Sequence, residues 1–111
     1  MPIDRSPIPA ISYAQVGCAL SRLIPIAISD TGQSARVADF LLAWWNGADN
    51  GKFDILDLCN VEAPIAEDML IIMSFLAQNG VTYADAWGER ESMVHLWELW
   101  RDPRLEDGAE E

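Results

Sequence analysis

The segment comprising residues 36–45 restricts the possible folds more than any other part of the sequence. Read at 3.6 residues per turn, it is apolar around most of its circumference. A helix this apolar belongs in the interior of a domain, so we expect a central helix here. It should begin with a capping box at residues 30–33 and end at residues 46–47, where glycine can close a helix. The apolar positions are Val37, Ala38, Phe40, Leu41, Leu42, Trp44 and Trp45, and the outer strip consists of Arg36, Asp39 and Ala43.

Three further segments repeat apolar residues at helical spacing, namely residues 13–27, 64–79 and 88–101. Pro25 lies inside the first of them, so we expect a kink or an early stop there. Pro64 suits the first turn of the second, and Gly80 marks its end. Pro103 follows the last segment and should stop it.

Short helical turns are expected after Asp54, which can act as a cap, and within residues 81–87. The apolar residues of the first turn, Ile55, Leu56 and Leu58, should pack inward. No run alternates apolar and polar residues as a strand does. We therefore predict an all-α fold, a small compact bundle of three long and two short helices with five mostly buried tryptophans. Residues 12–102 should form this single domain, between an extended arm at 1–11 and an acidic tail at 103–111.

The charges of the chain are strongly unbalanced. It has 18 Asp and Glu against 7 Lys and Arg, a formal net charge of -11. Between Arg36 and Arg90 lie nine carboxylates, and Lys52 is the one cation of that stretch. This composition argues against direct binding of nucleic acid or an anionic membrane, which require clustered cations. A basic protein surface is the natural complement, although acidity can also serve solubility alone.

Few residues suit catalysis or metal binding. His95 is the one histidine and lies in a predicted helix, where a hydrogen-bonded residue at the rim is the expected role. Asp54, Asp57, Glu67 and Asp68 could converge as paired carboxylates, but helix capping and dipole interactions account for them better. We predict no enzyme activity, no metal and no cofactor.

The two cysteines and the apolar segments bear on location. Cys18 and Cys59 match no zinc or redox spacing, so we interpret them as buried free thiols in a reducing compartment. No stretch resembles a signal peptide or reaches the roughly 18 apolar residues of a membrane span. We expect a protein of the bacterial cytoplasm.

The acidic side chains of the middle segment form the predicted binding site. On short helical elements, carboxylates can be spaced like the phosphates of a nucleic acid, and could occupy a basic groove of another protein. A solvated acidic face is the simpler alternative. Core packing is the expected role of Trp44 and Trp45, although one of them could reach the surface and anchor a partner. The partner-binding prediction comprises Asp49, Asp54, Asp57, Glu62, Glu67, Asp68, Asp85 and Glu89.

Three stretches carry a resemblance to a known group of proteins. DTGQSARVADFLLAWWN (30–46), GKFDILDL (51–58) and APIAEDM (63–69) resemble a small uncharacterised bacterial family of accessory and mobile-element genomes. The resemblance implies a setting of plasmids, prophages and genomic islands, where small acidic proteins, such as anti-CRISPR proteins, often inhibit host defence. No catalytic residue follows from it.

Two functional hypotheses result. The first is a non-enzymatic acidic inhibitor that mimics nucleic acid and binds the basic nucleic-acid-binding surface of a bacterial defence complex, in particular a CRISPR effector. The second is a structural or regulatory interaction module, antitoxin-like or oligomer-forming, whose acidity serves solubility. An apolar contact surface around Tyr83 and Trp87 would favour the second hypothesis. The sequence leaves the oligomeric state open.

Overall fold

The computed structural model describes residues 9–50 and 53–102, apart from the side chains of residues 48–50. Most of the predicted arm, Pro103 and the acidic tail lie outside these residues. The described chain is helical and contains no strand, which confirms the all-α prediction. It forms the α-helices α1 (Tyr13–Ile28), α2 (Gly32–Asn50), α3 (Ala63–Asn79) and α4 (Arg90–Trp100), with the short 3-10 helices η1 (Ile55–Asn60) and η2 (Ala84–Trp87) between them.

Helix α1 begins with a capping box and continues past its internal proline. The Ser12 hydroxyl accepts a hydrogen bond from the Gln15 backbone N–H at 3.1 Å, and the Gln15 side chain accepts one from the Ser12 backbone N–H at 2.8 Å. Helical structure continues from Pro25 to Ile28, so the predicted early stop is wrong. Ser21 and Pro25 both lie on the exposed side, where water can satisfy the carbonyl group that the proline leaves without a donor.

Helix α2 is capped one residue later than predicted. The Thr31 hydroxyl accepts a hydrogen bond from the Ser34 backbone N–H at 3.0 Å, so Thr31 takes the capping role expected of Asp30. The Gln33 side chain accepts instead from the backbone N–H of Glu62, at 2.7 Å. The predicted capping box is therefore wrong, because a donor from the start of α3 competes for Gln33.

The predicted end of α2 coincides with a break in the helix. Asn46 has non-helical backbone angles (φ -158°, ψ 80°), after which helical structure resumes up to Asn50. A left-handed Gly47 is not the cause, because the glycines with positive φ in the described chain are Gly80 and Gly88. Gly80 closes α3 as expected.

The other local predictions are largely confirmed. Asp54 caps η1, its carboxylate accepting from the Leu56 backbone N–H at 2.9 Å. Pro64 lies in the first turn of α3. A helical turn, η2, is present within residues 81–87. Helix α4 begins at Arg90, two residues later than expected.

The core is arranged around α1 rather than α2. Helix α1 packs against α2, α3 and α4, while α2 packs chiefly on α1 and α4. The small side chains Ala19 and Ala27 are fully buried on α1 and allow its neighbours to approach closely. Helix α2 is as apolar as predicted but lies beside this centre. The fully buried large side chains are Val16, Leu20, Leu23, Val37, Leu41, Leu42, Met69, Ile72, Met93 and Leu96.

Several residues are more exposed than predicted. Ile55 and Leu56 are 70% and 67% exposed, so only Leu58 of that turn packs against the core. Cys18 and Cys59 are both exposed free thiols, not buried ones. Among residues 9–50 and 53–102, no helix combines the length and apolar character required to cross a membrane.

The five tryptophans are mostly but not fully buried, and all of them pack against the core, as predicted. Three of their indole N–H groups donate to backbone carbonyl groups, so each of these rings packs against the core while its polar atom keeps a hydrogen-bond partner. The pairs are Trp44 with Thr82 at 2.8 Å, Trp87 with Tyr13 at 2.9 Å and Trp100 with Ala27 at 2.8 Å.

Candidate protein-binding groove

Arginines neutralise part of the predicted acidic site. Each of the four arginines in the described chain forms an ion pair with a carboxylate, and three of these carboxylates belong to the eight predicted binding residues. The pairs are Arg22 with Asp68 at 2.7 Å, Arg36 with Asp57 at 3.4 Å, Arg90 with Asp85 at 3.3 Å, and Arg101 with Asp39.

The pair between Arg22 and Asp68 joins α1 to α3. Asp68 is only 6% exposed, and its two oxygens accept from Arg22 Nε at 2.9 Å and from Nη2 at 2.7 Å. The hydrogen bonds to Asp68 raise the pKa of the Arg22 guanidinium, and Coulomb attraction to the same carboxylate raises it further. The arginine therefore keeps its charge. The sequence pattern predicts that Asp68 interacts with the helix dipole and binds a partner. Its position makes it a contact within the fold, and we leave it out of the binding surface.

The remaining predicted residues do not form one patch. Asp54, Glu62 and Glu67 are exposed and form no ion pair with another described residue. Glu89 is half-buried and accepts from the Ser92 hydroxyl at 2.8 Å. The side chain of Asp49 lies outside the described residues.

The carboxylates are divided between the two ends of α3. The contacts of Arg36 with Asp57 and of Gln33 with Glu62 place η1 and the start of α3 beside the start of α2. Asp85 and Glu89 belong to the opposite end, where η2 contacts the start of α1 and the last turns of α3. Helix α3 has 17 residues, and a helix of this length separates Glu62, at its start, from the opposite end by about 25 Å.

The described carboxylates also do not converge on a metal site. Within residues 9–50 and 53–102, no three His, Cys, Asp or Glu side chains are grouped as metal ligands. Asp54 caps η1 and Asp57 contacts Arg36, while Asp68 binds Arg22. His95 is exposed on α4.

An apolar groove runs between α2 and α3. It consists of two adjoining depressions of about 340 Å³ and about 310 Å³, which share Trp44 and Leu76. The first depression is completed by the loop that follows α3, and the second by Phe53 and by Ile55, the first residue of η1. The groove-lining residues are Phe40, Ala43, Trp44, Phe53, Ile55, Met73, Leu76, Gly80, Val81, Thr82 and Tyr83.

Large apolar side chains at the groove are exposed to solvent. Val81 is 85% exposed, Ile55 is 70% exposed and Tyr83 is 49% exposed. Single exposed apolar residues are common on protein surfaces, but a contiguous set is typical of a contact surface. Here the exposed side chains line the same groove as half-buried Phe53 and Trp44.

The loop of residues 80–83, which follows α3, forms one wall of the groove and is called its loop wall. Hydrogen bonds and aromatic contacts hold this loop wall in place. The Trp44 indole N–H binds the Thr82 carbonyl oxygen, and the Trp44 ring meets the Trp87 ring edge-on at 6.0 Å. Trp87 in turn stacks on Tyr13 at 4.9 Å and meets Phe75 edge-on at 5.4 Å. The wall is therefore attached to α1, α2 and α3, and its shape is set by the fold.

The groove overlaps only in part with the apolar contact surface that the sequence suggested around Tyr83 and Trp87. Tyr83 lines it, whereas Trp87 lies behind its wall in the aromatic cluster. Phe40, Phe53 and Val81 were not assigned to a contact surface. One feature of the sequence indicates an apolar residue at this surface: Val81 directly follows Gly80, the glycine that ends α3.

Comparisons with known proteins give a family but no activity. No curated protein matches the chain, and no solved structure matches it. The model of one family does match, from the second turn of α1 to the residue after α4. Its match covers residues 17–101, and the chain therefore belongs to DUF7673, a family of unknown function.

Proposed function

We propose that the protein is a non-enzymatic interaction module that binds another protein through the groove between α2 and α3. The observation that carries this proposal is the continuous apolar groove with Val81 and Ile55 exposed at it. Burying such side chains against a partner removes apolar surface from water, at about 25 cal/mol per Å².

The composition of the groove supports this role. Aromatic residues dominate the affinity of protein interfaces, and Phe40, Trp44, Phe53 and Tyr83 all line the groove. Because the wall around Thr82 is already held by Trp44, little ordering is required when a partner binds.

A second candidate is favoured by the surface charge. Asp54, Glu62 and Glu67 are exposed without an ion pair among the described residues, and the chain has a net charge of -11. An acidic inhibitor would present these groups to a basic nucleic-acid-binding surface, such as that of a CRISPR effector in the bacterial cytoplasm. The resemblance to proteins of mobile elements agrees with this setting.

One experiment tests both candidates. Purified wild-type protein is used to capture partners from a bacterial host lysate, in parallel with three variants. Val81→Glu alters the groove, and Leu70→Glu adds the same charge on α3 at a 48% exposed apolar residue outside it. The triple variant D54N/E62Q/E67Q removes three exposed carboxylates and keeps a capping side chain at residue 54.

The pattern of capture distinguishes the candidates. A partner held by wild type and Leu70→Glu but lost with Val81→Glu supports binding through the groove. A partner lost with the triple variant and retained by Val81→Glu supports the acidic inhibitor. A partner that all four proteins hold equally contradicts both proposals.

A further inference from the structure

We propose that the occupant of the groove is an amphipathic helix of another protein, with Lys or Arg along the edges of its apolar stripe. This inference rests on the proposed function, because it names the partner of the same groove. It is carried by two features of the molecule, the shape of the groove and the distribution of charge around it.

The shape of the groove suits a helix. Helices α2 and α3 pack on α1 more closely than on each other, so the space between them runs along two helix surfaces. A helix laid there would pack its ridges against both walls, as helices do in bundles. A peptide that binds as an added β-strand would need an open sheet edge for its backbone, and the described chain contains no strand.

The two depressions fit anchors on one helix face. Trp44 and Leu76 line both of them and therefore lie at the boundary between them. Apolar side chains from successive turns of one helix would enter the depressions on either side of this boundary, which is the usual pattern of helix-in-groove recognition.

The charge around the groove selects a basic occupant. All four arginines of the described chain are already paired with carboxylates, so an acidic partner would meet no unpaired arginine there. Asp54 is exposed immediately before groove residue Ile55, and Asp85 follows groove residue Tyr83 by two positions. The pair of Asp85 with Arg90 is exposed and long, at 3.3 Å, so a partner cation could compete for this carboxylate.

The same charge disfavours a second copy of the chain as the occupant. Two copies would bring together net charges of -11 each. Like charges placed against each other at an interface are unfavourable, whereas opposite potentials speed association and select the partner. A basic helix satisfies both the apolar and the electrostatic requirement.

The test uses the full chain and three synthetic peptides of 18 residues. The first has a leucine stripe flanked by Lys, the second has the same stripe flanked by Glu, and the third has the composition of the first in scrambled order. Fluorescence anisotropy measures their binding in moderate salt. We expect the Lys peptide to bind at least tenfold more tightly than either of the others.

Charge-matched variants locate the binding. Val81→Glu and Ile55→Glu should each weaken binding of the Lys peptide at least fivefold, and Leu70→Glu should leave it within twofold. All three substitutions add one negative charge at an exposed apolar residue. The long-range attraction between the protein and a cationic peptide therefore changes by the same amount in all three variants. Circular dichroism checks that each variant keeps its helical content.

The possible failures are distinguishable. Equal effects of Val81→Glu and Leu70→Glu would show that the groove is not the docking surface, which overturns both this inference and the proposed function. If Lys and Glu peptides bind the groove equally well, the basic occupant is wrong while the groove remains the binding site. A wild-type dimer in sedimentation experiments that Val81→Glu converts to a monomer would identify the occupant as a second copy, and would also overturn the inference.

Discussion

Replacing Trp44 by Phe tests whether one hydrogen bond fixes the loop wall of the groove. The substitution keeps an aromatic ring on α2 but removes the N–H that donates to the Thr82 carbonyl oxygen at 2.8 Å. A neutral hydrogen bond of this kind contributes about 1 kcal/mol net. Thr82 is only half-buried, so water can reach the abandoned carbonyl group and the full cost of burying an unpaired acceptor does not apply.

Trp97→Phe is the matched control. Trp97 is also half-buried against the core, but its indole N–H has no hydrogen-bond acceptor within the described residues. Both substitutions replace an indole with a smaller phenyl ring, so the loss of ring area is common to both, and loss of the hydrogen bond should make Trp44→Phe the less stable variant by about 1 kcal/mol. With a urea m-value of about 1 to 3 kcal/mol per molar, the midpoint of Trp44→Phe should lie about 0.3 to 1 M below that of the control.

Amide hydrogen exchange locates the effect. The Ala86 N–H donates to the Tyr83 carbonyl oxygen at 2.9 Å, just beyond the wall segment. If the wall opens about 1 kcal/mol more easily, exchange at Ala86 should become about fivefold faster in Trp44→Phe and stay unchanged in Trp97→Phe. Equal midpoints for the two variants, together with unchanged exchange at Ala86, would refute the assignment of this bond as the fixing contact.

Three further predictions concern the fold. Leu41→Ala, at a fully buried position, should lower the unfolding free energy by about 2 to 5 kcal/mol in urea denaturation. Arg22→Gln should lower the melting temperature, because it leaves the Asp68 carboxylate buried without its partner, and adding Asp68→Asn should restore part of the loss. Cys18 and Cys59 should both react with a thiol reagent in the native protein, without denaturant, because both are exposed.

Each of these predictions has a contradicting result. Leu56→Ala is the control for the core substitution, since Leu56 is 67% exposed; similar losses at the two positions would contradict the assigned core. A double variant less stable than Arg22→Gln alone would show that Asp68 is not left unsatisfied. If Cys18 and Cys59 react only after unfolding, they are buried in the native protein, and the exposure described above is wrong.

Local interactions explain which parts of the fold could be predicted. The cap at Asp54, the first-turn Pro64 and the terminating Gly80 depend on residues within one turn of each other, and all three are confirmed. The capping box at residues 30–33 fails for the opposite reason. A distant donor at Glu62 takes the Gln33 side chain, and no local pattern records which donor competes best.

The position of apolar residues relative to distant helices could not be predicted in the same way. Periodicity identifies Ile55 and Leu56 as apolar residues of a short helix, and it suggests that they pack inward. Their exposure depends on where η1 lies between α2 and α3, which tertiary packing decides. The groove was missed because the open space between two helices leaves no periodic signal of its own.

The charge imbalance illustrates how tertiary contacts alter a count made along the sequence. The stretch between Arg36 and Arg90 has a single cation, Lys52, but arginines from its two ends and from outside it fold back onto its carboxylates. This pairing reduces the number of carboxylates that a partner can contact. It leaves the net charge of -11 unchanged, because each pair cancels one charge of either sign.

For a partner that binds the groove, the association rate should therefore depend on salt and the dissociation rate on the groove residues. Long-range attraction to the net negative charge governs the association rate, which should fall as salt is raised. Contacts with the apolar groove govern the dissociation rate, which should change little with salt but rise when Val81 is replaced by Glu. Stopped-flow measurements with the Lys-flanked peptide separate the two rates. A dissociation rate that rises steeply with salt and ignores the substitution would place the binding energy in the carboxylates rather than in the groove.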